Sequence, residues 1–177
     1  MNGYRKFLWG VLGVIMLGVL VSSVALAAQG NVWTSAGGNR QNTRFQKSEN
    51  KISTANVDTL VPKWVLDTGG DVSATPAVDE TSVYFPDWAG NLYAVDKFTG
   101  EVLWLASIPA ITGIPEDKAR ATPAVTEDKL VVGTQGPFGG GGIVLAFDKF
   151  TGELLWSTVA DAHPAAIITQ SATVFDV

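Results

Sequence analysis

The sequence predicts an all-β fold built from repeated four-stranded antiparallel sheets. Residues 94–104 return at residues 146–156 with all but two positions identical, at an offset of 52 residues. The pentapeptide at residues 74–78 also recurs at residues 121–125. Self-similarity at a period of about 50 residues is typical of a repeat architecture. Four predicted strands in each repeat then describe the blades of a β-propeller.

Each repeat has the same order of strands. Pro76 and Pro123 lie inside the first strand, and their missing N–H groups are tolerated where a strand borders a sheet edge or an interior channel. The predicted strands are residues 73–78, 82–85, 91–96 and 101–104, then 120–125, 129–133, 143–148 and 153–156. We therefore expect blades at about residues 70–106 and about 118–160, with a third that begins at about residue 167 and is left incomplete.

The turn between the third and fourth strands has a local mechanism. The side chain of Asp96 or Asp148 can accept from backbone N–H groups two residues on, and Gly100 or Gly152 can take a positive φ. These residues are predicted to hold a hairpin. A calcium site at Asp96 is the alternative, although the pattern falls far short of an EF-hand loop.

One tryptophan stands at a fixed place in each repeat. Trp104 and Trp156 end the fourth strands, and Trp64 ends a similar predicted strand at residues 62–66. A large flat side chain repeated in this way favours packing between neighbouring sheets, with ligand binding as the alternative.

The first 27 residues have the organisation of a secretory signal peptide. Arg5 and Lys6 form a short positive region, residues 7–21 are apolar or glycine, and residues 25–27 supply the small side chains of a cleavage site. We expect export to the periplasm or the extracellular space, with cleavage before Ala28. An uncleaved membrane anchor is the competing interpretation, because residues 7–28 are nearly long enough to span a bilayer. Residues 28–66 would lead into the first blade.

Charge and cysteine content exclude several functions. Without Arg5 and Lys6, ten basic residues face seventeen acidic ones, a net charge of −7. An acidic chain is a poor partner for nucleic acid or anionic lipid, so membrane contact is expected only through an uncleaved N-terminal segment. Cysteine is absent, which excludes disulfides, thiol catalysis, thiolate metal sites and covalent haem attachment.

The repeat resembles a known family. The pattern A-x-D-x-x-T-G-x-x-x-W at a strand–turn–strand is similar to that of the quinoprotein propellers, eight-bladed dehydrogenases that hold pyrroloquinoline quinone (PQQ) and calcium. Residues 33–64 resemble the segment that precedes blade one in that family. Residues 70–76 and 84–90 look like those of polyvinyl-alcohol-dehydrogenase-type members. The resemblance covers residues 33–177 and implies about two complete blades of the eight.

The resemblance implies three cofactor-binding residues. Arg120 matches an arginine that contacts the oxygens of the quinone, and a fixed guanidinium suits a ligand with three carboxylates. Thr169 matches a threonine at the edge of the cofactor. Ser73 stands where many members place a glutamate, so a hydrogen-bonding group is kept and a charge is lost. A solvated loop arginine and an ordinary strand threonine are the alternatives for Arg120 and Thr169.

No residue of the chain is matched to a catalytic or metal-binding role. In the family, the calcium ligands and the aspartate base come from later blades. His163 is predicted to lie in a surface loop between blades, and Glu116, Asp117 and Lys118 are predicted to form a solvated charged loop. The glycine run at residues 139–142 lacks the G-K-[ST] sequence of a phosphate loop.

These features are compatible with two alternative functions. The resemblance implies the N-terminal part of an exported PQQ-dependent alcohol dehydrogenase, inactive alone, that oxidises a hydroxyl to a carbonyl and passes electrons to a cytochrome. The alternative is a propeller without cofactor that acts as a binding or assembly scaffold in the cell envelope. Because two blades cannot close a propeller, we expect a piece of a longer protein; a ring of several copies and an inactive remnant are the alternatives.

Overall fold

The computed structural model describes residues 32–137 and 140–175. The predicted signal peptide lies outside these residues. Eight strands form two antiparallel sheets, and each sheet keeps its strands in chain order. The strands are β1 (Ala77–Val78), β2 (Ser82–Pro86), β3 (Asn91–Asp96) and β4 (Val102–Ser107), then β5 (Ala124–Val125), β6 (Lys129–Gly133), β7 (Gly142–Asp148) and β8 (Leu154–Asp161). The predicted fold class is confirmed: the sheets are two blades of the β-propeller type.

The first strand of each blade is shorter than the sequence predicted. β1 begins at Ala77, directly after Pro76, and β5 begins at Ala124, directly after Pro123. A proline has no N–H group to donate, so the hydrogen-bonded ladder starts one residue later. Ser73 and Arg120, predicted to open these strands, therefore lie in the loops that precede them.

Two other predicted strands are wrong. Residues 62–66 and 167–175 contain no strand in the described part of the chain. Trp64 is held through its side chain instead, because its indole N–H donates to the carbonyl of Lys97 at 3.0 Å. Near residue 167, Ile168 donates to the carbonyl of Thr134 at 2.9 Å, but no further ladder follows.

The main core lies between the two sheets. Because side chains alternate along a strand, one face of each sheet enters this core, and Trp104 packs against it from β4. Its buried members are Ala77, Tyr84, Leu92, Ala94, Ala106, Ile108, Ala119, Val125, Leu130, Val132, Ile143, Leu145 and Phe147. The opposite face of the first sheet presents Phe85, Tyr93 and Val95 to Trp64 and Leu66. Both faces of the first blade are thus covered.

A short helix that the sequence did not predict connects the blades. Helix α1 spans Ile108–Thr112, has Pro109 in its first turn, and ends at Gly113, whose φ is 71°. The N–H of Gly113 donates to the carbonyl of Pro109 at 3.0 Å, as expected of a left-handed helix end. The helix follows β4 at the same end of the blade as the β2–β3 turn, because Asn91 pairs with Ser107. It leads the chain into the loop that carries Arg120.

The hairpin turns have the predicted mechanism. Asp96 accepts from the backbone N–H groups of Phe98 and Thr99 at 2.8 and 2.7 Å. These amides, led by that of Thr99, hold the pKa of Asp96 below its usual value. Asp148 accepts from Phe150 and Thr151 at 2.9 Å each. Both aspartates are structural, and the calcium interpretation of Asp96 finds no support in this arrangement.

The repeated tryptophans join one repeat to the turn of the next. The indole N–H of Trp104 donates to the carbonyl of Lys149 at 2.9 Å, just as Trp64 donates to Lys97 in the preceding repeat. The packing prediction is thus confirmed for these two tryptophans. Trp156 is 43% exposed, so it is not a core residue within the described part of the chain.

The leading segment ties the first strands of both blades together. Trp33 pairs with Val78 through backbone hydrogen bonds of 2.6 and 2.7 Å, and Val125 donates to the carbonyl of Thr34 at 2.9 Å. A half-buried ion pair also links the blades, since the ammonium of Lys149 lies 3.2 Å from the carboxylate of Asp79. Among the described residues, no helix is long and apolar enough to cross a membrane.

Candidate cofactor-binding site

The loops before β1 and β5 lie at the same end of their blades. Trp88, in the β2–β3 turn, donates its backbone N–H to the carbonyl of Asp71 at 2.9 Å, beside Ser73 in the loop before β1. In the second blade, Gln135 donates to the carbonyl of Lys118 at 2.6 Å, and Ala119 pairs with Thr134. Ser73 and Arg120 are therefore presented by equivalent loops of neighbouring blades.

Trp88 brings Ser73 and Arg120 together. Its indole N–H donates to the hydroxyl of Ser73 at 2.8 Å. The guanidinium carbon of Arg120 lies 5.9 Å from the centre of the Trp88 ring, and the ammonium of Lys118 lies 5.5 Å from it. This contact could not be predicted from the sequence, because Trp88 follows a strand and has no counterpart in the second repeat.

Arg120 is an exposed guanidinium with little to hold it. Its side chain donates to the amide oxygen of Gln135 at 3.4 Å, a long hydrogen bond. In the described part of the chain, neither Arg120 nor Lys118 lies within 4.0 Å of a carboxylate. A cation that the protein leaves without an ion pair is available to a carboxylate or a quinone oxygen of a ligand.

Thr169 approaches the same region from the end of the described chain. It is exposed, and the preceding residue, Ile168, donates to the carbonyl of Thr134. Thr134 in turn pairs with Ala119, the residue before Arg120. The backbone therefore places Thr169 near Arg120, although in the described part of the chain no hydrogen bond joins it to Arg120 or Ser73.

Asp87 is a site residue that sequence reasoning missed. It is fully buried, directly before Trp88. One carboxylate oxygen accepts from the backbone N–H of Asn91 at 2.8 Å. The other accepts from the side-chain amide of Asn91 and the hydroxyl of Tyr93, both at 3.0 Å, and from the backbone N–H of Gly70 at 3.2 Å. This network fixes the turn that presents Trp88.

Asp117 corrects another prediction. Sequence reasoning placed it in a solvated loop with Glu116 and Lys118, but its side chain is fully buried. One carboxylate oxygen accepts from the backbone N–H of Lys118 at 2.9 Å, and the other has no hydrogen-bond partner among the described residues. Burial raises the pKa of Asp117 above its ordinary value of 3.8. The loop folds inward here because it crosses the β2–β3 turn, where the carbonyl of Asp117 lies against Gly90.

Replacing Asp117 with asparagine should stabilise the protein at neutral pH. One oxygen of the buried carboxylate has no hydrogen-bond partner, so a neutral amide of the same shape should raise the free energy of unfolding at pH 7 by about 1 kcal/mol. Because the pKa is raised in the folded state, this gain should vanish as the pH falls below 3.8, where the carboxyl group is protonated in both states. Urea unfolding of both proteins at pH 7 and pH 3.5 measures the difference.

Asp148→Asn is the matched control for this prediction. The amides of Thr151 and Phe150 hold the pKa of Asp148 below its ordinary value, so its replacement should lower stability at pH 7. A stability gain from Asp117→Asn that persists at pH 3.5, or no gain at pH 7, would contradict the assignment of Asp117 as a buried charge.

Other polar candidates take structural or surface positions. His163 lies in an exposed loop, as predicted, where its ring nitrogen accepts from the backbone N–H of Ala165 at 3.1 Å. In the glycine run, residue 139 lies outside the described residues. Across residues 32–137 and 140–175, no group of three or more histidine, cysteine or acidic residues could hold a metal ion.

The two repeated four-stranded sheets are those of a PQQ-type propeller repeat protein. The family model PQQ_2, described as "Outer membrane protein assembly factor BamB", matches residues 20–177. The chain belongs to this family.

Two proteins to which this chain is similar in sequence are dehydrogenases. Polyvinylalcohol dehydrogenase of Sphingopyxis sp. strain 113P3 is 26% identical over 153 residues, which are 82% of this chain and 22% of the relative. The dehydrogenase subunit of alcohol dehydrogenase (quinone) from Gluconobacter oxydans strain 621H is 33% identical over 114 residues, 60% of this chain and 15% of that subunit. This chain thus spans less than a quarter of either relative.

One solved structure that is similar to this chain is the quinohemoprotein alcohol dehydrogenase from Comamonas testosteroni. It aligns with a TM-score of 0.49 and 23% sequence identity over 76% of this chain and 28% of that one.

Proposed function

We propose that this chain is the N-terminal part of a PQQ-dependent alcohol dehydrogenase. The observation that carries the proposal is the convergence of Ser73 and Arg120 on Trp88, at 2.8 and 5.9 Å. Two residues matched to cofactor contacts on sequence grounds, 47 positions apart, come together on one aromatic side chain. Polyvinylalcohol dehydrogenase and the quinone alcohol dehydrogenase subunit, both relatives of this chain, support the same reading.

The residues present fit the chemistry of PQQ. The cofactor carries three carboxylates and an ortho-quinone, and when bound it supplies the oxidant for conversion of a hydroxyl to a carbonyl. Arg120 would hold its oxygens through charge-assisted hydrogen bonds, and the hydroxyls of Ser73 and Thr169 would hydrogen-bond to its edge. The calcium ligands, the aspartate base and the contact with a cytochrome acceptor belong to other parts of the full protein in this proposal.

Replacing Arg120 with alanine should weaken PQQ binding more than tenfold. A charge-assisted hydrogen bond contributes about 1.5–3 kcal/mol, and each 1.4 kcal/mol is a factor of ten in the dissociation constant. Titration of the complete protein with PQQ in the presence of calcium, followed by tryptophan fluorescence, measures this affinity. Arg44→Ala, which removes an exposed arginine of the leading segment, is the control and should leave the affinity unchanged. If the Arg120 variant and the wild type bind PQQ with equal affinity, Arg120 is an ordinary solvated loop residue and does not bind the cofactor.

A second candidate is a scaffold without cofactor in the cell envelope. The family description as an outer membrane assembly factor favours it, and so does Ser73, which lacks the charge that many quinoproteins place there. The same titration separates the two functions: saturable quenching by PQQ supports the dehydrogenase, and unquenched fluorescence of the complete wild-type protein supports the scaffold.

We place the protein outside the cytoplasm, in the periplasm or the extracellular space. The positive, apolar and small-residue regions of residues 1–27 support this location. The intact mass and N-terminal sequence of the protein from the envelope fraction test it. An N-terminus at Ala28 would support export with cleavage, and an N-terminus at Met1 in a cytoplasmic fraction would contradict it.

A further inference from the structure

Trp88 contacts a second cation, Lys118, in addition to Ser73 and Arg120. Its ring is 39% exposed, although its indole N–H is bound by Ser73. The ammonium of Lys118 lies closer to the ring centre than the guanidinium of Arg120, at 5.5 against 5.9 Å. Two cations therefore share one partly open aromatic surface, and we call Trp88, Lys118 and Arg120 the cationic patch.

Neither cation of this patch forms an ion pair within the described ranges, although the carboxylate of Asp117 interacts electrostatically with Lys118. Within the described ranges, neither cation lies within 4.0 Å of a carboxylate, and the buried Asp117 points its partnered oxygen at the backbone N–H of Lys118. A cation–π contact at an exposed site contributes about 0.5–1 kcal/mol but leaves the charge in place. In a chain whose net charge is −5, two adjacent cations without an ion pair mark a place suited to an anion.

The backbone that carries both cations, and the turn that carries Trp88, are held in place by hydrogen bonds. The carbonyl of Lys118 accepts from Gln135 at 2.6 Å, and Ala119 pairs with Thr134. On the facing blade, Asp87 anchors the turn of Trp88 through four hydrogen bonds. A backbone that is already fixed leaves less to be ordered when a ligand binds.

We propose that Lys118 is a further cofactor-binding residue and that Trp88 is a positioning residue for both cations. Lys118 binds one carboxylate of PQQ, while Arg120 binds the quinone oxygens or a second carboxylate. Trp88 holds the two cations beside the Ser73 hydroxyl. This inference rests on the proposed function. It places the negatively charged edge of the cofactor against the loop before β5 in the second blade.

The test measures PQQ affinity of the complete protein by equilibrium dialysis at several salt concentrations, with calcium present. Lys118→Met should weaken binding about tenfold at low salt, as expected for the loss of one charge-assisted contact. The dependence of affinity on salt should also become shallower, because one fewer charge is involved. Trp88→Leu should weaken binding, and Trp88→Phe, which keeps a ring, should recover part of the loss.

Lys63→Met is the matched control. Lys63 is exposed and its ammonium lies 5.0 Å from the ring of Phe98, so the variant removes the same charge and the same kind of contact away from the patch. Its affinity and salt dependence should match the wild type. If Lys118→Met binds PQQ as Lys63→Met does, the inference is wrong and the proposed function stands. If the wild type itself binds no PQQ, the proposed function is wrong and the inference falls with it.

Discussion

Replacing Gly152 with alanine should lower the free energy of unfolding by about 3 kcal/mol. The φ of Gly152 is 75°, and a Cβ atom there would lie 2.6 Å from Cδ2 and 2.7 Å from Cε3 of Trp104. The left-handed conformation costs a non-glycine residue about 1–2 kcal/mol. Overpacking against a fixed ring adds about 1–3 kcal/mol. Since Trp104 joins the first blade to the turn of the second, the clash weakens the contact between blades.

Gly113→Ala provides the matched control for this prediction. The φ of Gly113 is 71°, and nothing lies within 4 Å of the position its Cβ would take. It should therefore show the conformational cost alone, about 1–2 kcal/mol. Gly100→Ala, where a Cβ would lie 2.7 Å from Cγ of Trp64, should behave like Gly152→Ala. Chemical denaturation measures all three, and equal losses at Gly113 and Gly152 would show that the tryptophan does not constrain the turn.

These glycines show how far the sequence could predict the fold. The Asp–Gly turn depends on neighbours in the chain, so the pattern from Asp96 to Gly100 was sufficient to predict it. The second requirement at Gly100, room for the ring of Trp64, comes from a residue 36 positions earlier in the sequence. The residues next to Gly100 in the sequence do not indicate that Trp64 packs against it. The repeat of both features at Trp104 and Gly152 was visible, but their contact was not.

The sequence-based prediction of strands and helices was wrong where local composition and long-range pairing favour different structures. The apolar run around Ile167 has the composition of a strand, yet a strand needs a partner with which to form a ladder. In the described residues, that segment makes one backbone hydrogen bond to Thr134. Helix α1 was missed for a related reason: its five residues are too few to show a helical period, and it forms where the chain must turn from β4 to the second blade.

The candidate site was predictable only in part. Ser73 and Arg120 were found through the family resemblance, and both lie at one end of the blades. Trp88 and Lys118 were not found, because a tryptophan in a turn and a lysine in an acidic loop have no pattern that separates them from ordinary surface residues. Their contact arises from the packing of one blade against the next, which sequence spacing does not encode.

Asp87 to alanine should be among the most damaging substitutions of a polar residue in this chain, with a loss of about 3–5 kcal/mol in the free energy of unfolding. The carboxylate is fully buried and accepts hydrogen bonds from Asn91, Tyr93 and Gly70. Its removal leaves these buried donors unpaired, at about 1–3 kcal/mol for each one that finds no water. Asp87→Asn should also destabilise, because its NH₂ group would face other donors.

Asp96→Ala serves as the control for Asp87. Asp96 accepts three hydrogen bonds, from Phe98 and Thr99, but its turn is exposed and water can replace the carboxylate, so a smaller loss is expected. Urea denaturation compares the two variants, and a loss at Asp87 no larger than at Asp96 would contradict the structural role of its network.

Because Asp87 anchors the turn of Trp88, PQQ affinity should also fall in Asp87→Ala under conditions where the variant remains folded. Asp96→Ala lies at the opposite end of the blade and should keep it. A fall in affinity at Asp87 alone would tie the buried network to the cationic patch that it supports.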